Sequence, residues 1–151
     1  MAEAKKKRRA PRKKTTTGKG VRKVPTGIPG LDEALDGGLP AGRVTLIAGP
    51  SGAGKTVFLN EFVYRGIVDQ KEPAVFVTFE ESPDHISANV TGFGRDYDAF
   101  RADGLLTFVD LSLGDRQDQE LGDDYDLGPI VLRVKRAVEA TGARRVVIDS
   151  I

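Results

Sequence analysis

Apolar residues are nearly absent from positions 1–20, which are mostly Lys, Arg, Thr, Gly and Pro. From Val24 onward they settle into a repeating order of short dense runs and helix-period stretches. Arg43-Val-Thr-Leu-Ile-Ala48 is rich in β-branched residues and ends at Gly49, which predicts a buried strand. Thr56 to Val68 carries Val57, Leu59, Phe62, Val63, Ile67 and Val68 at helical spacing. Ala74-Val-Phe-Val-Thr-Phe79 predicts a second strand. Ser82-Pro83 then predicts a helix start, because a serine cap followed by proline suits a helix N-terminus. Leu105-Leu-Thr-Phe-Val-Asp110 reads as a third strand, and Leu111 to Gly128, with six acids and little periodicity, as a flexible loop. Pro129 to Thr141 gathers Ile130, Val131, Val134, Ala137 and Val138 on one side of a helix that Gly142 should stop. Arg145-Val-Val-Ile-Asp149 is the fourth predicted strand.

Strands alternating with helices predict βαβ units: an α/β domain whose mostly parallel sheet is covered on both faces. In such sheets ligands gather at the carboxyl ends of the strands. Gly49, Glu80 and Asp149 all fall at those ends, so one site is expected there.

Charge divides the chain in two. Residues 1–23 hold 11 Lys/Arg against the single acid Glu3, a local charge of +10. Residues 24–151 hold 12 Lys/Arg against 21 Asp/Glu, a charge of −9. The expected organisation is a disordered basic tail over 1–23 and one acidic domain over 24–151. The tail reads either as a solvated, self-repelling arm or as a contact for nucleic acid or another acidic surface, the domain's own included. It has no aromatic residue to stack on bases, so nothing in it supports single-strand recognition. Cysteine is absent, which removes disulfides, zinc-thiolate sites and thiol catalysis together. No apolar run reaches the ~18 residues that a membrane-crossing helix needs, and the basic start lacks the apolar segment of a secretory signal. A cytoplasmic location fits these features.

Gly49-Pro50-Ser51-Gly52-Ala53-Gly54-Lys55-Thr56 satisfies the phosphate-loop pattern G-x-x-x-x-G-K-[ST] in full. Its glycines let backbone N–H groups turn inward around phosphate oxygens, and the helix beginning there adds its positive dipole end. Lys55 is expected to reach the β- and γ-phosphates of ATP, and the Thr56 hydroxyl to ligate Mg²⁺. A chance glycine-rich turn is the alternative, but strand and helix flank the loop as the motif requires. Asp149 ends an apolar strand, as does the acid that orients Mg²⁺ in such proteins; an acid at a strand end is also common without any such role. Glu80 and Glu81 follow the second strand, either as a carboxylate pair for activating the attacking water or as a plain acidic loop. His85, the only histidine, is expected on the helix after Pro83 in a surface or packing role. Phe93, Tyr97 and Phe100 read as core or interface residues.

Taken together, these segments resemble the KaiC family of RecA-like ATPases. Val24 to Pro40 matches that family's opening pattern T-G-I-x-G-[LF]-D-x-x-x-x-G-G-[IL]-P, and GRVTLIAGPSGAGKT, AVFVTFEES and RRVVIDS follow in order and spacing. The resemblance covers about residues 24–151 and implies a three-layer RecA-like core. It implies ATP held between subunits of a ring, usually a hexamer, with slow hydrolysis. Glu80 and Glu81 map onto the family's paired catalytic glutamates, and Asp149 onto its Mg²⁺-orienting acid. A two-domain member phosphorylates itself and acts as the core of the cyanobacterial circadian clock, so autokinase activity is implied for a longer form only. The family's later strands, trans-acting basic residues and phosphorylation sites have no counterpart in these 151 residues, and the basic tail is outside its pattern. The sequence is accordingly read as an N-terminal fragment, expected to turn over poorly alone. Two other readings stay open: a RadA-like DNA recombination or repair ATPase, and a non-hydrolysing switch whose ATP occupancy drives assembly.

Overall fold

A computed structural model describes residues 20–111 and 127–149. The basic tail up to residue 19 and most of the acidic loop, 112–126, lie outside the described residues.

The domain opens with a small hairpin, β1 (Lys23–Val24) and β2 (Leu39–Pro40), paired antiparallel around the short helix α1 (Leu31–Ala34). Charge alone had grouped Arg22 and Lys23 with the tail, but both belong to this hairpin. The Arg22 carbonyl accepts from Ala41 N, and Lys23 Nζ donates to the Leu35 carbonyl at the end of α1 and to the Gly38 carbonyl just before β2. A cation at a helix C-terminus meets the orphan carbonyls there.

Helix α2 (Lys55–Gln70) leads to the central strand β3 (Ala74–Thr78). Helices α3 (Pro83–Thr91) and α4 (Tyr97–Ala102) then carry the chain to β4 (Leu106–Asp110). Helix α5 (Gly128–Thr141) returns it to β5 (Arg145–Asp149). The three strands are parallel in the order β4-β3-β5, with Thr78 level with Asp110 on one side and Asp149 on the other.

All five residues of β3 are buried, as an unbroken apolar run between two neighbours and two covered faces should be. On one face Phe76, Leu106 and Val147 pack with Val63 and Ile67 of α2, Ile86 and Val90 of α3, and Tyr97 of α4. On the other, Val75, Val77 and Val109 pack with Val134, Ala137 and Val138 of α5. The α/β reading, a parallel sheet covered on both faces, therefore holds for the described residues. Each of the fully buried valines contributes on the order of 1.5–3 kcal/mol over an exposed one.

One predicted strand is absent. Residues 43–48 pair with no described strand, and Val44 and Leu46 are 98% and 86% exposed rather than buried. A β-branched run has the propensity for a strand, but a strand exists only where a neighbour supplies a ladder. No described segment takes that place. Of the apolar residues assigned to the inner side of α5, Val131 is instead exposed.

The core also holds one cation. Arg145 is 2% exposed; its guanidinium donates to Glu72 Oε2 at 2.9 Å, the Phe62 carbonyl at 3.0 Å and the Pro25 carbonyl at 2.9 Å. It also lies 4.3 Å from the centroid of the Phe62 ring. Its stem occupies the space over Gly66, where an added Cβ would overlap Arg145 Cδ and Nε. Alanine normally gains up to about 1 kcal/mol over glycine inside a helix. Here overpacking, worth about 1–3 kcal/mol, should dominate. Gly66→Ala is expected to lower the urea midpoint of unfolding, and a raised midpoint would show that α2 does not pack on Arg145 in this way.

Candidate functional site

The loop from Gly49 to Gly54 runs directly into α2, whose N-cap Gly54 has φ 84°. That left-handed conformation suits glycine and turns the first N–H groups of the helix toward the loop's interior. An Ala53 N to Pro50 O bond at 3.1 Å and a Phe58 N to Gly54 O bond at 2.9 Å close the turn. Ser51, Gly52, Ala53 and Gly54 are exposed, and no atom lies within 4 Å of where a Cβ on Gly52 or Gly54 would stand. The cradle is open on the side a phosphate would approach. Lys55 folds back over it, with Nζ donating to the Gly49 carbonyl at 2.9 Å and to the Pro50 carbonyl at 3.1 Å. A lysine in that position spans the loop and can exchange its carbonyl partners for phosphate oxygens.

Thr56 Oγ1 stands 3.3 Å from Asp149 Oδ1, across 93 residues of sequence. The fold thus joins the start of α2 to the end of β5. A hydroxyl beside one carboxylate is a hard-oxygen pair suited to Mg²⁺, which keeps several waters and takes few protein ligands. Among the described residues no group of three or more His, Cys, Asp or Glu could hold a metal by itself. The donor set fits a metal that arrives with phosphate oxygens.

Glu80 and Glu81 follow β3, and both are exposed. Thr78, buried at the end of the strand, donates Oγ1 to the Glu81 carbonyl at 2.6 Å and so turns the chain into α3. Ser82 caps α3 as its sequence implies, accepting from His85 N. His85 is exposed on that helix, away from any core role. Of the three aromatics, Tyr97 is fully buried and donates its hydroxyl to the Asn60 carbonyl at 3.0 Å, while Phe100 packs against the core and Phe93 is exposed. Burial pushes the Tyr97 phenol above its ordinary range; Arg95 opposes this and Glu61 adds to it.

A family model described as "ATPase: KaiC" matches residues 24–151. Among curated proteins, the chain is 44% identical over 131 residues to "Circadian clock oscillator protein KaiC" of Acaryochloris marina, covering 87% of this chain and 25% of that one. The corresponding protein of Thermostichus vulcanus shows the same identity and coverage. "Circadian clock protein KaiC3" of Synechocystis sp. is 43% identical over 132 residues, covering 87% of this chain and 26% of its own. The chain spans about a quarter of the length of these curated relatives.

The matched range takes in the opening segment, where motif reading had assigned no role to Asp32. Its Oδ1 accepts from Thr26 N at 2.7 Å and Thr26 Oγ1 at 2.8 Å, and its Oδ2 from Gly27 N at 3.0 Å. The Thr26-Gly27 and Asp32 positions of the signature therefore form a self-contained turn. Its spacing of six residues between Thr26 and Asp32 was the available signal. Burial works against the Asp32 carboxylate, but the bonds from Thr26 and Gly27, with help from Arg145, hold its pKa below the usual 3.8. A lowered carboxylate pKa stabilises the fold above the unfolded value and loses that contribution as pH falls through the folded value. Stability should therefore drop between about pH 4 and lower values, and Asp32→Asn should flatten that part of a pH series of unfolding midpoints. An unchanged acid limb would rule Asp32 out as its source.

Proposed function

From the premise that this chain belongs to the KaiC family of ATPases, we propose that Gly49–Thr56, Glu80, Glu81 and Asp149 bind and hydrolyse ATP. The observation that carries the reading is the Thr56–Asp149 pair at the mouth of an open phosphate loop. Bound ATP and Mg²⁺ would supply the phosphoanhydride and the charge that offsets its oxygens. Backbone N–H groups of the loop and the N-terminus of α2 hold the phosphates. Lys55 leaves the Gly49 and Pro50 carbonyls for the β- and γ-phosphates. Thr56 and Asp149 would hold Mg²⁺. Glu80 and Glu81 orient the attacking water and accept its proton.

By the same reading, the full-length protein works as a homo-oligomeric ring with slow turnover, in a regulatory role that protein partners read. Autokinase activity and a cytoplasmic setting belong to that proposal. The relatives carry circadian-clock names, and a clock role here would follow from those names alone. The basic tail favours a second reading, a DNA-binding recombination or repair ATPase, because a local +10 suits phosphate backbones.

In the full-length protein, Glu80→Gln combined with Glu81→Gln is expected to lower kcat by at least ~100-fold while leaving ATP affinity unchanged. Wild-type turnover in that variant would remove the glutamates from the mechanism. Single-stranded DNA should leave turnover of the wild type unaltered; marked stimulation would favour the second reading.

A further inference from the structure

The two adjacent glutamates do not have equal surroundings. Among the described residues no hydrogen bond or ion pair reaches the Glu80 carboxylate. Glu81 is held at both ends: its carbonyl accepts from Thr78 Oγ1 at 2.6 Å, and its Oε2 accepts from Asn89 Nδ2 at 3.2 Å. An ionised carboxylate offers only acceptors, so the amide must present its nitrogen to it. Asn89 sits on the solvent side of α3, opposite the buried Ile86, Ser87 and Val90. With Glu81, His85 and Ala88 it lines an open depression of about 440 Å³ next to the carboxyl end of the sheet. The helix packs without the Asn89 side chain, and among the described residues its side chain bonds only to Glu81.

We propose that Asn89 is a positioning residue for Glu81, its amide fixing that carboxylate against α3 while Glu80 is left free to swing. The proposal rests on the reading of Glu81 as part of the hydrolytic pair. Adjacent carboxylates repel, and a donor on only one of them separates the two charges and gives each a different freedom. Fixing a catalytic side chain before substrate arrives removes an ordering step from the barrier, and a misplacement of 1 Å at a reacting centre costs up to ~100-fold in rate.

The test compares Asn89→Ala, Asn89→Asp and Glu81→Gln in the full-length protein, with kcat expressed per ATP-binding site so that unfolded material does not count. Asn89→Ala should lower kcat about 10-fold with KM for ATP unchanged. Asn89→Asp has the same shape but sets a carboxylate against that of Glu81, so it should lower kcat further than alanine does. A role in packing alone would tolerate the isosteric aspartate. Wild-type kcat in Asn89→Ala, or equal kcat in Asn89→Asp and Asn89→Ala, overturns the positioning role when Glu81→Gln is inactive. Wild-type turnover in Glu81→Gln instead overturns the underlying reading of Glu81.

Discussion

A guanidinium out of reach of water fixes the relation between the pieces of this domain. Arg145 starts β5, yet its side chain reaches α2 through the Phe62 carbonyl, the helix exit through Glu72, and the opening segment through the Pro25 carbonyl. Burying a charge is expensive unless it is paired and its donors are used, and three directed bonds and a ring face answer that demand. Lysine would not serve, since an ammonium cannot spread planar donors over three separated oxygens. The arrangement matters because α2 and β5 each carry half of the candidate metal pair. Thr56 opens the helix, Asp149 closes the strand, and Arg145 locks the two elements together at their far ends.

With that lock in place, the rest of the site follows from register. The parallel ladder sets Thr78 level with Asp149, so the turn after β3 begins beside the acid. Thr78 then spends its hydroxyl on the Glu81 carbonyl, which fixes where the glutamates leave the sheet. The phosphate loop needs no such support, because its short hydrogen bonds are internal. Loop and acid thus meet through the Thr56–Asp149 contact, while the glutamates leave the sheet from the neighbouring strand, just past the register of the acid.

Much of this was legible from residue order. Ser82-Pro83 announced α3 because cap and proline act locally, and Gly142 ended α5 in a left-handed turn for the same reason. The β3 run was plain because a central strand is apolar on both faces. What depends on distant partners was not legible. Helix α4, Tyr97–Ala102, spans only six residues, and is held by an Asp96 cap and by Tyr97 and Phe100 against the core. Arg145 read only as the first residue of the fourth predicted strand; the assembled fold gives it three acceptors. The strand expected at 43–48 failed for the converse reason: the local preference is there, the neighbour is not. At the site, the phosphate loop was readable as a motif, whereas the tether from Asn89 back to Glu81 depends on how α3 folds against the strand end, which residue order does not give.

The unpaired 43–48 run and the outer edge of β5 also bear on how these residues behave in solution. Val146 and Ile148 are about half exposed, and β5 pairs with β3 alone among the described strands. Such an edge offers backbone donors, acceptors and apolar side chains at once, which is what a second copy needs for edge-to-edge pairing. For a polypeptide limited to these residues, colloidal stability would be decided at this margin, which borders the candidate site at Gly49 and Asp149, so self-association there would also crowd the site.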